Sequence, residues 1–345
     1  MIWKPKERQL TREEAIALAR KELKPLWFGT TPLLAGVRAG AKFAAHPLDQ
    51  KLLERNWILT FVDATSFGGH EALESLSLWC QRYAQLGLEF LLVLRFPHPE
   101  AFRAFAVQAS FEKELEAGMK IAIDHNGALC AAFGCNPTDS AKSVILVSGK
   151  AYAETQGPDW PRETETILQK LLREKDPGLP LLPITNRKIK TVQTVSSVDF
   201  GTSANSLNFR LEPQATVDTL STLAPGQVLA TGEWVREADK ISTSDPAARI
   251  LVNCPSPEFA LVAQPVERLQ ERPRVAIQIN GLPAFEEYFG PQMTLDEEGF
   301  TRFTIGAAWF FRPMKALPPN QRAIILSFPD SKAVKCVLFS IRFGQ

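Results

Sequence analysis

The 345-residue sequence is short of several things, and each shortage closes off a class of function. It has five cysteines, at positions 80, 130, 135, 254 and 336, odd in number and far apart. A disulfide scaffold needs a denser, even set. The count therefore predicts a reducing compartment and a cytoplasmic protein, or a periplasmic one if a leader has been removed. No run of about 18 apolar residues occurs, so no membrane-spanning helix is expected. The amino-terminal stretch MIWKPKERQLTREEAIALAR carries positive charge but no apolar core, and so does not read as a secretory signal. Neither sign of charge is in excess: Lys plus Arg is 39, Asp plus Glu is 38, and the formal net charge is +1. That balance argues against broad electrostatic binding of nucleic acid or anionic membrane. His46, His98 and His125 stand apart beside Pro or Asn, and no His/Cys/Asp/Glu spacing matches a zinc site. No Gly-rich phosphate cradle is present. Neither a metal nor a cofactor is expected.

What is present is material for a core, with 45% hydrophobic, 22% charged and 9% aromatic residues. The length suggests about two domains. Residues 1–49 read as an extension holding one helix, Thr11 to Leu23, with a capping box at Thr11 and Glu14 and a stop at Pro25. Trp57 to Val62 and Leu88 to Leu94 are continuous apolar runs, the mark of strands buried on both faces. Between them, His70 to Leu86 has the apolar stripe of a helix, closed by Gly87. Further helices are expected over Pro99 to Gly118, Gly127 to Phe133 and Glu163 to Glu174. Strands are expected over Lys120 to Asp124 and Ser143 to Val147, with a hairpin turn at 148–150. Residues 50–175 thus read as an α/β domain of order β-α-β-α-β-β-α. Residues 176–213, rich in Pro and then in Thr and Ser, read as a linker with room for an edge strand. Residues 214–345 read as all-β, with short strands, Pro punctuation and an Asn280-Gly281 hairpin signal, which argues for a sandwich or jelly roll. The expected fold class is α/β plus all-β.

The strand–loop–helix Val62-Asp63-Ala64-Thr65-Ser66-Phe67-Gly68-Gly69-His70-Glu71, with Asp124 to Gly134, Val144 to Val147 and Ser148-Gly149-Lys150 downstream, resembles thioredoxin-like and AhpC/TSA-type domains over residues 50 to 175. Gly232-Glu233-Trp234, Asn280-Gly281, the acidic turn Asp296 to Gly299 and the terminal Phe343-Gly344 resemble the carboxy-terminal module of DipZ-type proteins. Those proteins join a thioredoxin-like domain to a sandwich similar to carbohydrate-binding modules. The resemblance implies a Cys-x-x-Cys loop at the helix start. Its two positions fall here on Ser66 and Gly69. Dithiol exchange needs a thiolate to attack and a second thiol to resolve the mixed disulfide. A serine hydroxyl and a glycine supply neither.

The other candidates are few. Cys130 and Cys135 are the nearest cysteines in sequence and the candidate redox pair. The bland alternative is that Cys130 is a small core hydrophobe. His70, Ser66 and Asp63 suggest a hydrolytic set, against helix capping. Trp234, Tyr288, Trp309 and Phe311 are candidates for stacking on sugar rings, an expectation that rests on the resemblance. The sequence thus reads as a redox-inactive thioredoxin-like protein, a binding or scaffold module for another protein or a glycan. Two alternatives stay open: a thiol-dependent oxidoreductase or peroxidase working through Cys135, and a carbohydrate-binding protein working through its sandwich.

Overall fold

The computed structural model describes residues 33–35, 44–46, 56–95, 111, 118–124, 130, 133–135, 141–147, 150–157, 159–185, 194–202, 207–266, 268–297, 299–320 and 322–344. The helices expected over Thr11 to Leu23, Pro99 to Gly118 and Gly127 to Phe133 lie wholly or almost wholly outside these residues. By compactness the chain divides into two units. The first is Met1–Ala64, Gly69–Pro97 and Lys113–Lys190, and the second is Thr65–Gly68, His98–Glu112 and Thr191–Gln345.

The first unit is built on one seven-stranded sheet. Its strands are β1 (Leu33–Ala35), β2 (Ala44–His46), β3 (Trp57–Asp63), β4 (Glu89–Arg95), β5 (Lys120–Asp124), β6 (Lys142–Val147) and β7 (Lys150–Gln156), in the order β2-β1-β5-β4-β3-β6-β7. Strands β3, β4 and β5 run parallel, and β6 is antiparallel to β3. Parallel neighbours need a crossover, and α1 (Phe67–Tyr83) supplies it between β3 and β4. The first six residues of β3 are all buried, as the unbroken apolar run predicts. One sheet face carries Trp57, Leu59, Phe61, Leu91, Val93, Val144 and Leu146 in a single cluster, each strand contributing alternate residues. Gly87 ends the helical stretch at φ 86°, a left-handed position that glycine adopts without a Cβ penalty.

Two helix starts differ from expectation. The first helix begins at Phe67 rather than His70, although Gly68 and Gly69 disfavour helix. Phe67 is fully buried, and that burial outweighs the propensity of two glycines. The second, α2 (Trp160–Lys175), begins three residues before Glu163, because Pro161 suits the first helical turn and Trp160 is buried against Trp79, ring centroids 5.1 Å apart.

The second unit is a β-sandwich. Its early strands are β8 (Thr194–Asp199), β9 (Phe209–Leu211), β10 (Val228–Thr231), β11 (Val235–Arg236), β12 (Ile241–Thr243) and β13 (Arg249–Asn253). Then follow β14 (Glu258–Ala263), β15 (Arg274–Ile279), β16 (Leu282–Pro283) and β17 (Thr294–Leu295). The last are β18 (Thr301–Thr304), β19 (Phe310–Met314), β20 (Ala323–Ser327) and β21 (Cys336–Gly344). One sheet runs β17-β18-β15-β20-β13-β10-β9 with β16 on β15, and the other runs β11-β12-β21-β14-β19 with β8 on β21. Residues of both sheets, among them Ile250, Ile277 and Leu326 from the first and Phe259, Phe311 and Ile341 from the second, form one buried cluster. Asn280 and Gly281 both have positive φ, 52° and 79°, the pair of angles a type I′ hairpin needs.

Two short strands fall within residues 176–213. Thr194–Asp199 is a strand on β21, and Phe209–Leu211 lies parallel to β10. Backbone packing is close at Gly290, where an added Cβ would run into the Arg312 carbonyl. Gly290→Ala is expected to lower stability by about 1–3 kcal/mol through overpacking, read as a fall in denaturation midpoint. An unchanged midpoint would mean that the two strands can part there freely.

Candidate functional site

Three places carry chemistry. The first is the strand–helix junction, where the resemblance puts a dithiol loop. Ser66 is 6% exposed, Phe67 is fully buried, and Gly69 is buried as well. Segment Thr65–Gly68 clusters with the second unit. Within that unit the Phe67 ring meets Phe310 edge-on at 5.5 Å, and the Arg312 guanidinium lies 5.2 Å from the Phe67 centroid. Arg312 is held there by a 2.7 Å charge-assisted bond to Glu258. The Phe67 ring is therefore packed against an aromatic ring and a fixed cation, and its neighbour Ser66 is buried. His70 donates through Nε2 to the Ala64 carbonyl at 3.1 Å, a bond that ties its ring to the strand end.

The second place is Cys130 and Cys135. They are five residues apart in sequence, and the Cys135 N–H donates to the Cys130 carbonyl at 2.8 Å. The Cys130 N–H donates to Asp124 Oδ2 at 2.9 Å, and Asp124 is fully buried. The Cys135 thiol, burial and the Asp124 charge together push the Cys130 thiol pKa far up. The signal available in the sequence was Gly134, one residue before Cys135, which marks a helix ending that turns the chain back on itself.

The third place is the outward face of the larger sandwich sheet. A groove of about 200 Å³ is lined by Arg249, Gln278, Pro283, Phe300, Arg302 and Ser327, among others. Arg302 pairs with Asp296 at 2.8 Å and lies 5.2 Å from the Phe300 ring centroid. Arg249 donates to the Pro246 and Ala248 carbonyls. Phe300, at the groove, is exposed. None of these residues was singled out from the sequence, because alternation marks a residue as outward without saying that its neighbours gather. The acidic turn is a plain hairpin end: Asp296 accepts the Phe300 N–H at 2.8 Å and its carbonyl accepts the Gly299 N–H.

The sugar-stacking candidates are not brought together. Trp309 and Phe311 are each 2% exposed, which corrects the expectation that they offer a ring face to a pyranose. Phe311 faces Phe303 in the sandwich core at 5.5 Å, and Trp309 meets Phe111 at 6.4 Å. Trp234 is half-buried, its indole N–H bonded to the Thr231 carbonyl and its ring edge-on to Phe328. Tyr288 is half-buried beside Phe285, and the neighbouring Glu287 carboxylate raises its pKa. Among the described residues no group of three or more His, Cys, Asp or Glu is placed to hold a metal, and no helix is long and apolar enough to cross a membrane.

Fold and site together define the class: a thioredoxin-like domain, with a parallel strand–helix–strand unit followed by an antiparallel hairpin and a helix, joined in sequence to a β-sandwich. No family model matches the chain, and no curated protein matches it. Among solved structures it is similar to a secreted Mycobacterium tuberculosis disulfide oxidoreductase homologous to E. coli DsbE, at 15% identity, covering 43% of this chain and 98% of that one, TM-score 0.31. It is also similar to a thioredoxin-like protein solved in its oxidised form, at 15% identity over 41% of this chain and 89% of that one, TM-score 0.33. A third is Plasmodium yoelii Prx1a, at 15% identity over 39% of this chain and 83% of that one, TM-score 0.27. Strand order and direction, rather than these distant likenesses, define the domain.

Proposed function

We propose that this protein is a binding or scaffold module that keeps a thioredoxin-like framework without dithiol exchange at the strand–helix junction. The observation that supports the reading is a buried serine: Ser66 stands where an attacking thiolate would be needed, and it is buried next to the fully buried Phe67. A buried sheet needs no cysteine to persist, so the framework outlasts the chemistry. The surface assigned to binding is the sheet groove with the exposed Phe300 beside Arg249 and Arg302. An exposed aromatic ring next to arginine is the composition of protein interfaces. This favours a protein partner over a glycan.

Two measurements test the reading. In an insulin-reduction assay under excess reductant, the protein is expected to add nothing to the rate of reductant alone. The Ser66→Cys variant is expected to label with an aromatic disulfide reagent at least about tenfold more slowly in the native protein than after denaturation, since a buried thiol is inert. Turnover of insulin, or native labelling of residue 66 as fast as in the unfolded chain, would overturn the proposal.

A further inference from the structure

The residues around Cys135 form a built thiol site away from the junction. Cys130 is helical, Gly134 has φ 60°, and the Cys135 N–H closes a six-to-one hydrogen bond onto the Cys130 carbonyl. That combination is a Schellman ending, in which the residue after the left-handed position folds back on the residue five before it. Both of those residues are cysteine here. With a 2.8 Å N···O distance, standard bond lengths place their Cα atoms at most about 6.7 Å apart. A disulfide spans about 4.4–6.8 Å.

The two sulfurs are unequal. Cys130 is 2% exposed and packs with Trp57, Leu59 and Val144. Cys135 is half-buried, with its thiol 3.9 Å from the Phe133 carbonyl. Reagents in solution meet Cys135 first. The neighbouring Cys135 thiol, burial and the charge of Asp124 all favour the protonated form of Cys130.

We infer that Cys130 and Cys135 are a thiol–disulfide site that reacts with low-molecular-weight disulfides. The Cys135 thiolate attacks one sulfur of the small disulfide; that S–S bond breaks, and one small thiolate leaves and takes up the proton that Cys135 released. The Cys130 thiol then passes its proton to the Asp124 carboxylate, whose Oδ2 accepts the Cys130 N–H at 2.9 Å. Its sulfur attacks the Cys135 sulfur, forming the protein disulfide and expelling the second small thiolate, which collects the proton from Asp124. Two protein thiols are oxidised, and one small disulfide is reduced to two thiols. The step is a stoichiometric modification and goes beyond the binding role, which it neither needs nor contradicts.

The test uses the full chain equilibrated in buffers of rising oxidised-to-reduced glutathione ratio, denatured, alkylated and mapped by mass spectrometry. Cys130 and Cys135 are expected to lose alkylation together with one midpoint, while Cys80, Cys254 and Cys336 stay alkylated throughout. Cys130→Ser is expected to stop at a glutathione adduct on Cys135. Cys135→Ser is expected to leave Cys130 reduced at ratios that oxidise the wild type. Wild-type mapping decides the matter even if a variant fails to fold. Both thiols remaining reduced across the series, or a wild-type glutathione adduct on Cys135 that never passes to Cys130, would overturn the inference.

Discussion

Glu165→Ala is expected to destabilise the first unit by about 3–5 kcal/mol, the usual cost of breaking a buried ion pair from one side. Glu165 is fully buried on α2. Its Oε1 accepts from Arg82 at 2.8 Å and from the Tyr83 hydroxyl at 2.7 Å, and its Oε2 accepts the Thr185 N–H at 2.8 Å. Arg82 also donates to the Pro183 carbonyl and the Thr185 hydroxyl, while Gln169 donates to Tyr83 Oη and to the Leu182 carbonyl. One carboxylate thus joins α1, α2 and the stretch 182–185. Removing it strands a guanidinium, a phenol and an amide N–H at once. Chemical denaturation followed by tryptophan emission reads the loss, since Trp79 and Trp160 pack on these two helices. Glu165→Gln keeps the shape and one acceptor and should recover part of it. A Glu165→Ala midpoint within error of wild type would show that the network contributes nothing.

The second large effect separates a core tryptophan from a ligand-stacking one. Trp309→Ala is expected to cost about 3–5 kcal/mol, as for a large aromatic removed from a packed interior. An exposed platform residue would instead leave stability within about 0.5 kcal/mol and abolish binding. Trp309 is 2% exposed, so the first outcome is expected. A thermal midpoint unchanged by the substitution, together with loss of signal on a glycan array, would return the residue to the sugar-binding reading.

How much of this was legible differs from element to element. The strands β3 and β4 and the helix α1 between them stood out because an unbroken apolar run and a 3.6-residue stripe are local signals. Strand β8 was legible only as an edge strand within a polar linker. Its Thr-Val-Ser-Ser-Val-Asp is mostly polar, with Val198 buried. The strand exists because β21 offers it a ladder of backbone partners more than a hundred residues away. The stretch 182–185 likewise has no pattern of its own and is held by the side chains of α1 and α2.

The candidate sites divide along the same line. That sulfur is absent at positions 66 and 69 needs only residue identity. Alternation also says that Phe310 and Phe311 point to opposite faces, so that one of them faces inward. What alternation leaves open is the cover over the other face, and here Phe67 supplies it for Phe310. The same holds for Cys130 and Cys135, whose meeting depends on a left-handed glycine and a returning hydrogen bond. Periodicity reports the direction of a side chain relative to its own backbone. Burial, and with it reactivity, is set by whatever distant segment arrives to fill that direction, and only the folded chain brings such segments together.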